Sequence, residues 1–172
     1  IKMYGFVNPE TFKTTLEISK ENHIPVIGHI PLVSLDTFYP SGQIEIAHIE
    51  EITKKTIDDF GKSIARNPEE YLNYLKLRSN QIARKIKENN ISVTSTVWVC
   101  ESFPEQRFDL PSKLKKVELK YVNPKIIEGT PLHKLGWLPE RNAYEYDGKN
   151  TPEARKRSFT YWKTYAEAIH IM

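Results

Sequence analysis

Short apolar runs alternate with helical patterns along the first hundred residues of the chain. The runs at residues 1–5, 23–30, 43–49 and 91–99 are rich in β-branched residues and predict four strands. Between the first two runs, Asn8 and Pro9 have the residue types of a helix cap and a first helical turn. The pattern therefore predicts a strand followed by a helix, and then the same unit again.

The remaining helices are predicted from the same signals. A short helix is expected around residues 34–39, and a long one over residues 67–89, where Asn67 and Pro68 stand as cap and first turn. Residues 100–150 are rich in proline, glycine and aromatic residues and predict irregular structure with short helices. A final helix is expected from Thr151 to the end of the chain at Met172.

Alternating strands and helices with short connections predict an α/β fold whose strands are parallel, with helices outside them. The continuously apolar strands indicate that both faces of the sheet are covered. An open doubly wound sheet and part of a (β/α)8 barrel both fit. No glycine-rich phosphate loop follows any strand, which favours the partial (β/α)8 (TIM) barrel, where chemistry occurs at the carboxyl ends of the strands.

The composition is that of a globular domain. The chain has 172 residues, 39% of them hydrophobic and 27% charged, which is enough for one core. No apolar run reaches the length of a membrane span, and the net charge of +3 comes without a nucleic-acid recognition motif. We therefore expect neither a membrane nor a nucleic acid as partner. The single cysteine, Cys100, excludes an internal disulfide and a cysteine-rich zinc site.

Both ends of the sequence have the character of internal segments, a strand at the start and an apolar helix at the end. We interpret residues 1–172 as the C-terminal part of a barrel domain that is incomplete at both ends. Such a piece exposes sheet edges, so a homo-oligomer is expected. The compartment stays open between the cytoplasm and, with a leader upstream, the periplasm or exterior.

Two of the five histidines stand at the ends of adjacent predicted strands. His29 ends VIGH and His48 ends IEIAH. Neighbouring strands lie about 4.8 Å apart, so two imidazoles at their tips can share a divalent ion. The alternative is that each is an ordinary hydrogen-bonded histidine at a strand end.

Lys2 lies in the first apolar strand, where an unpaired ammonium is costly to bury. Three alternatives are open. The side chain reaches solvent, it pairs with a carboxylate, or it is a desolvated amine that reacts with carbon dioxide. The carbamate formed in the last case is an anionic ligand that can bridge two metal ions.

The segments IKMY (1–4), PVIGHIP (25–31), SGQIEIAHIEEI (41–52) and ISVTSTVW (91–98) follow one another as strands four to seven do in a known barrel family. In these segments the chain resembles the amidohydrolase superfamily, specifically its imidazolonepropionase-like and prolidase-like branch. The resemblance implies one or two divalent ions, with zinc expected. It implies that Lys2 is the bridging carbamate and that His29 and His48 bind the same ion. It also implies hydrolysis of a C–N bond by metal-activated water.

The resemblance is incomplete. The family takes two more histidines from an H-x-H motif on its first strand, and the chain contains no H-x-H. The family's acid–base aspartate comes from an eighth strand, which would follow Met172. No catalytic residue is therefore expected within the chain, and we expect it to be inactive alone. We interpret the function as that of the intact parent enzyme, which the resemblance implies to be a hydrolase of amides, dipeptides or cyclic amides.

Three further residues are candidates for contact with a small-molecule or dipeptide-like substrate. Tyr4 is on the same face of the first strand as Lys2, Thr96 is the candidate for the family's threonine near the end of strand seven, and Trp98 follows it. Two other functions are compatible with the sequence. One is a binding or scaffold protein that kept the barrel without the chemistry, and the other is a lyase or isomerase in which Lys2 forms a Schiff base.

Overall fold

The fold is a small parallel sheet with helices packed on one of its faces. The computed structural model describes residues 1–108, 115–116, 118–121 and 151–172. The strands are β1 (Lys2–Met3), β2 (Ile27–Gly28), β3 (Glu45–Ile46) and β4 (Ser92–Val93). The helices are α1 (Pro9–Glu21), α2 (Leu35–Phe38), α3 (Glu50–Phe60), α4 (Pro68–Glu88), α5 (Val97–Phe108) and α6 (Pro152–Ile171), with 3-10 turns at Tyr39–Ser41 and Leu119–Tyr121.

The four strands lie in the order in which they occur in the chain. Each pairs in parallel with the next, and Lys2, Ile27, Glu45 and Ser92 stand side by side across the sheet. Backbone hydrogen bonds continue the ladder one residue beyond β2, β3 and β4, from the His29 N–H to the Met3 carbonyl at 3.0 Å for example. The predicted α/β class with parallel strands and outer helices is confirmed.

The two faces of the sheet differ sharply. Met3 and Ile46 point into a core that includes Phe12 of α1, Ile52 of α3 and Leu75 of α4. On the other face Lys2, Tyr4, Ser92 and Thr94 are exposed. The expectation that both faces are covered is therefore not met among the described residues. Below, this second side is called the open face, and it is defined by Lys2, Tyr4, Ser92 and Thr94.

The predicted strand at residues 91–99 is wrong in its second half. The strand ends at Val93, and backbone bonds from Val99 and Cys100 back to the Thr96 carbonyl begin α5. The apolar run that resembled a strand is instead used by a helix, because Cys100 packs against Tyr165 and Ile169 of α6. Trp98 accordingly lies in the first turn of α5 and not at a strand end.

Helix α3 was not predicted. Its residues include the β-branched Ile52, Thr53 and Thr56, whose types lower helix propensity, yet all three are buried in the core. The helix ends at Gly61, which adopts φ 67°. Packing against the rest of the core therefore overrides local propensity here.

Two asparagine–proline pairs behave differently. The Asn8 side chain accepts a hydrogen bond from the Thr11 N–H at 2.8 Å and caps α1 as predicted. Asn67 makes no such bond at the start of α4, and its amide donates to the Ser63 carbonyl instead. The long helix is confirmed, but its predicted side-chain cap is wrong.

The final helix is confirmed over Pro152–Ile171, with Thr151 as its N-terminal cap and Met172 as its C-terminal cap. The Met172 N–H donates to the Ala168 carbonyl at 3.3 Å, and its side chain packs against the main core. Much of the irregular stretch predicted at residues 100–150 lies outside the described residues. None of the helices that the structure describes combines the length and the apolar character needed to cross a bilayer.

Candidate functional site

The structure brings His29 and His48 together at the carboxyl end of the sheet. His29 directly follows β2, and His48 follows β3 by two residues. Their ring centres are 4.8 Å apart and the ring planes are inclined by 57°. The parallel pairing of β2 with β3 is what places both imidazoles at one edge, as the sequence predicted.

His29 is oriented by a buried carboxylate. Its Nδ1 lies 3.1 Å from Oε1 of Glu51, whose side chain is only 5% exposed. Because an ionised carboxylate only accepts hydrogen bonds, the Nδ1 of His29 is the donor. In the neutral imidazole Nε2 then has a free lone pair, which is the state in which histidine binds a metal ion.

Glu51 has a second partner in Lys54, whose ammonium lies against the same oxygen. Burial alone would raise the pKa of the Glu51 carboxyl. The hydrogen bond and charge of Lys54, with a smaller contribution from His29, outweigh it, so the pKa is lowered. Glu51 is therefore a buried anion beside the histidine pair.

His48 has an unsatisfied ring nitrogen. Its Nδ1 is buried, and no group in the described part of the chain forms a hydrogen bond with it. Buried polar atoms of native proteins nearly always have a partner. An orphaned nitrogen next to a second imidazole is thus a position where a ligand can supply the missing interaction.

The end of β2 is braced by Gln43, a buried side chain that sequence reasoning did not single out. Its amide nitrogen donates to the carbonyl oxygens of Gly28 and His29, both at 3.2 Å, and of Glu45 at 2.8 Å. These bonds tie the segment that carries His29 to β3, which His48 follows by two residues.

Tyr4, on the open face, lies against His29. Its ring stacks on His29 with centres 5.2 Å apart and planes inclined by 20°. Tyr4, His29 and His48 therefore form a row of three rings from β1, β2 and β3. Tyr4 is 61% exposed, so it is accessible to a ligand from solvent.

Lys2 is exposed, which is the first of the three alternatives open for it. Its Nζ lies 5.6 Å from the centre of the Tyr4 ring. Lys2 pairs in the sheet with Ile27, which stands two residues before His29. The Cα atoms of Lys2 and His29 are therefore offset by about 6.6 Å along the strand direction. The desolvation that carbamate formation requires is not present in this structure.

Thr96 and Trp98 lie on the β4 side of the site. The Thr96 hydroxyl donates to the carboxylate of Glu50, which is buried and also accepts from the Cys100 thiol at 3.8 Å. Trp98 is 65% exposed in α5. The roles of these two residues as substrate contacts stay predictions.

Met172, after which the resemblance places the catalytic aspartate, closes α6. Helix α6 contacts α3, α4 and α5. Met172 thus has a packing role in this chain.

Glu51 is the site residue that sequence reasoning missed. It stands in the first turn of α3, where a carboxylate is favoured by the helix dipole, and its carboxylate contacts His29. Its neighbour Glu50 contacts Thr96 and neither histidine. The signal was present as two acids at the second and third positions after His48, but it could be interpreted only once α3 was known.

The donor set fits a divalent ion in part. Among residues 1–108, 115–116, 118–121 and 151–172, no three His, Cys, Asp or Glu side chains group as metal ligands. Two imidazoles that share one zinc ion at about 2.0–2.1 Å in a tetrahedral site have ring centres about 5 Å apart. The observed 4.8 Å and the orphaned nitrogen of His48 agree with that arrangement.

Two grooves flank α1, at a different part of the surface. They have volumes of about 430 and 450 Å³, and neither is lined by His29 or His48.

Comparison of the chain with protein-family models, curated proteins and solved structures found no match in any of the three.

Proposed function

We propose that this chain forms part of a (β/α)8 barrel of the amidohydrolase type, and that the intact protein hydrolyses a C–N bond in an amide, dipeptide or cyclic amide. His29 and His48 are the proposed ligands of a divalent ion, with zinc expected. The ion, when bound, would polarise the substrate carbonyl and activate water. The residues of this chain would hold the ion and orient the substrate beside it.

The barrel is supported by the order of the strands. A doubly wound sheet reverses its strand order at a switch point and has helices on both faces. The four strands here keep the order β1-β2-β3-β4, and the core packs on the Met3 and Ile46 side. The open face bears polar side chains, which is compatible with the wall of an active-site cavity.

One observation carries the metal site, namely the distance of 4.8 Å between two imidazoles from adjacent strand ends. The carboxylate of Glu51 behind His29 supports it, because metal-binding histidines almost always donate their other ring N–H to a carboxylate, carbonyl or water. The unsatisfied Nδ1 of His48 is a third, independent sign.

Among the three metal ligands that the resemblance implies, Lys2, His29 and His48, Lys2 has the least support. It reaches a bridging position only if its amine leaves the Tyr4 ring and extends along β1. Tyr4 would in that case be free to contact the substrate. The proposal of a metal bound by His29 and His48 does not depend on Lys2.

The test is a titration of the full chain with Co²⁺, followed by visible absorption, because tetrahedral Co²⁺ reports imidazole ligation directly. We expect His29→Ala and His48→Ala each to weaken binding about 100-fold or more, since loss of a ligand exceeds the 10–100-fold effect of an outer-shell change. His23→Asn is the control, since His23 is exposed before β2 and has a positive φ that asparagine tolerates.

Unchanged Co²⁺ affinity in both alanine variants would remove the metal site and with it the hydrolase proposal. Absence of Co²⁺ binding by the wild-type chain would favour the binding or scaffold protein instead.

A further inference from the structure

We propose that Glu51 is a positioning residue that holds His29 in the Nδ1–H tautomer and so presents an unprotonated Nε2 beside His48. The use of that nitrogen for metal binding rests on the proposed function. The tautomer itself does not rest on the proposed function, because it is a property of the chain without any ligand.

Glu51 joins both histidines. Its backbone N–H donates to the His48 carbonyl at 3.0 Å, and its carboxylate lies 3.1 Å from Nδ1 of His29. A single residue in the first turn of α3 therefore links the end of β2 to the end of β3. The spacing of three residues between His48 and Glu51 is that of one helical turn, which is why this link forms as α3 begins.

The carboxylate is held in place from two further directions. Lys54, one turn along α3, contacts the oxygen that faces His29. The other oxygen lies 3.7 Å from the position that a Cβ on Gly5 would occupy, so the backbone that follows β1 lies close to it. With a side-chain exposure of 5%, Glu51 has little freedom to turn away from His29.

The imidazole of His29 is confined in turn. Tyr4 stacks on it at 5.2 Å, and His48 lies 4.8 Å from it. A rotation that exchanged the ring nitrogens would break the Glu51 hydrogen bond inside a largely buried site and disturb both ring contacts. The buried Glu51 carboxylate would then keep only Lys54 as a partner, and the loss of a buried hydrogen bond is costly, so the Nδ1–H tautomer should be favoured.

The test is long-range ¹H–¹⁵N NMR of the metal-free full chain with ¹⁵N-labelled histidine, which distinguishes protonated from bare ring nitrogens. We expect a protonated Nδ1 and a bare Nε2 for His29 in the wild type, and a shift toward the Nε2–H form in Glu51→Leu. Glu50→Leu is the matched control, since Glu50 is equally buried one residue away and contacts Thr96 instead of His29. A bare Nδ1 in the wild type overturns the proposal without any variant.

Co²⁺ titration of the same proteins separates this proposal from the function. If both hold, Glu51→Leu lowers Co²⁺ affinity about 10–100-fold while Glu50→Leu leaves it unchanged. A wild type with the Nδ1–H tautomer but no Co²⁺ binding removes the metal function and leaves the positioning role. Normal Co²⁺ affinity and an unchanged tautomer in Glu51→Leu remove the positioning role and leave the function.

Discussion

Gly28, directly before His29, pairs with Met3 of β1, and its replacement by alanine tests how the site is built. Gly28 has a φ of +120°, and a Cβ added there would lie 2.4 Å from the Met3 carbonyl oxygen and 2.8 Å from the Met3 nitrogen. These are backbone atoms of the paired strand, so they cannot move aside as a flexible side chain would. The strands themselves must separate.

The magnitude follows from two contributions. Holding a non-glycine residue at such a φ costs about 1–3 kcal/mol, and forcing extra atoms into a packed region costs about 1–3 kcal/mol more. We therefore expect Gly28→Ala to lower the free energy of unfolding by about 2–6 kcal/mol, out of a typical total of about 5–15 kcal/mol. For a chain of this size the corresponding fall in Tm is about 4–24 °C.

The assay is urea unfolding followed by far-UV circular dichroism, with Gly42→Ala and Gly61→Ala as controls. Both controls have positive φ values, 93° and 67°, but in the described part of the chain no atom beyond the adjacent residues lies within 4 Å of the added Cβ. They measure the conformational cost without the steric one. Equal destabilisation in all three variants would refute the close approach of β1 and β2, and with it the reason for a glycine before His29.

Three other predictions concern the frame around the site. Asn8→Ala should destabilise the chain by about 1 kcal/mol in urea unfolding because it removes the side-chain cap of α1. Asn67→Ala removes no side-chain cap and should destabilise the chain less. The reverse order would contradict the cap assignment. Burial, together with the charge and hydrogen bond of Glu50, raises the pKa of the Cys100 thiol to about 12. A disulfide reagent at mildly alkaline pH should therefore label the chain only after unfolding. Rapid labelling of the folded protein would show the thiol to be exposed. Burial also raises the pKa of Tyr71 from 10.0 to about 12, so its stabilisation is complete below pH 10 and is lost as the pH rises toward 12. The urea midpoint should fall over that range, with a smaller fall in Tyr71→Phe, and an identical fall in that variant would contradict the assignment.

Local sequence signals were sufficient for the parts of the fold that depend on neighbouring residues. The cap and first-turn proline of α1, the length of α4 and the start of α6 at Thr151 all follow from hydrogen bonds and periodicity within one or two turns. The adjacency of His29 and His48 followed from one further rule, that parallel strands end at the same edge of a sheet. Each of these can be worked out without knowing what packs where.

Only the tertiary structure decided the rest, because it depends on partners that are distant in the chain. Thr96 meets Glu50 across 46 residues, and the Tyr165 hydroxyl reaches the Glu50 carbonyl across 115. Such contacts turn VWVC into the start of a helix, bury the β-branched face of α3, and place the Glu51 carboxylate beside His29. The exposure of Lys2 has the same cause, since an apolar strand does not by itself reveal which of its faces the core will cover.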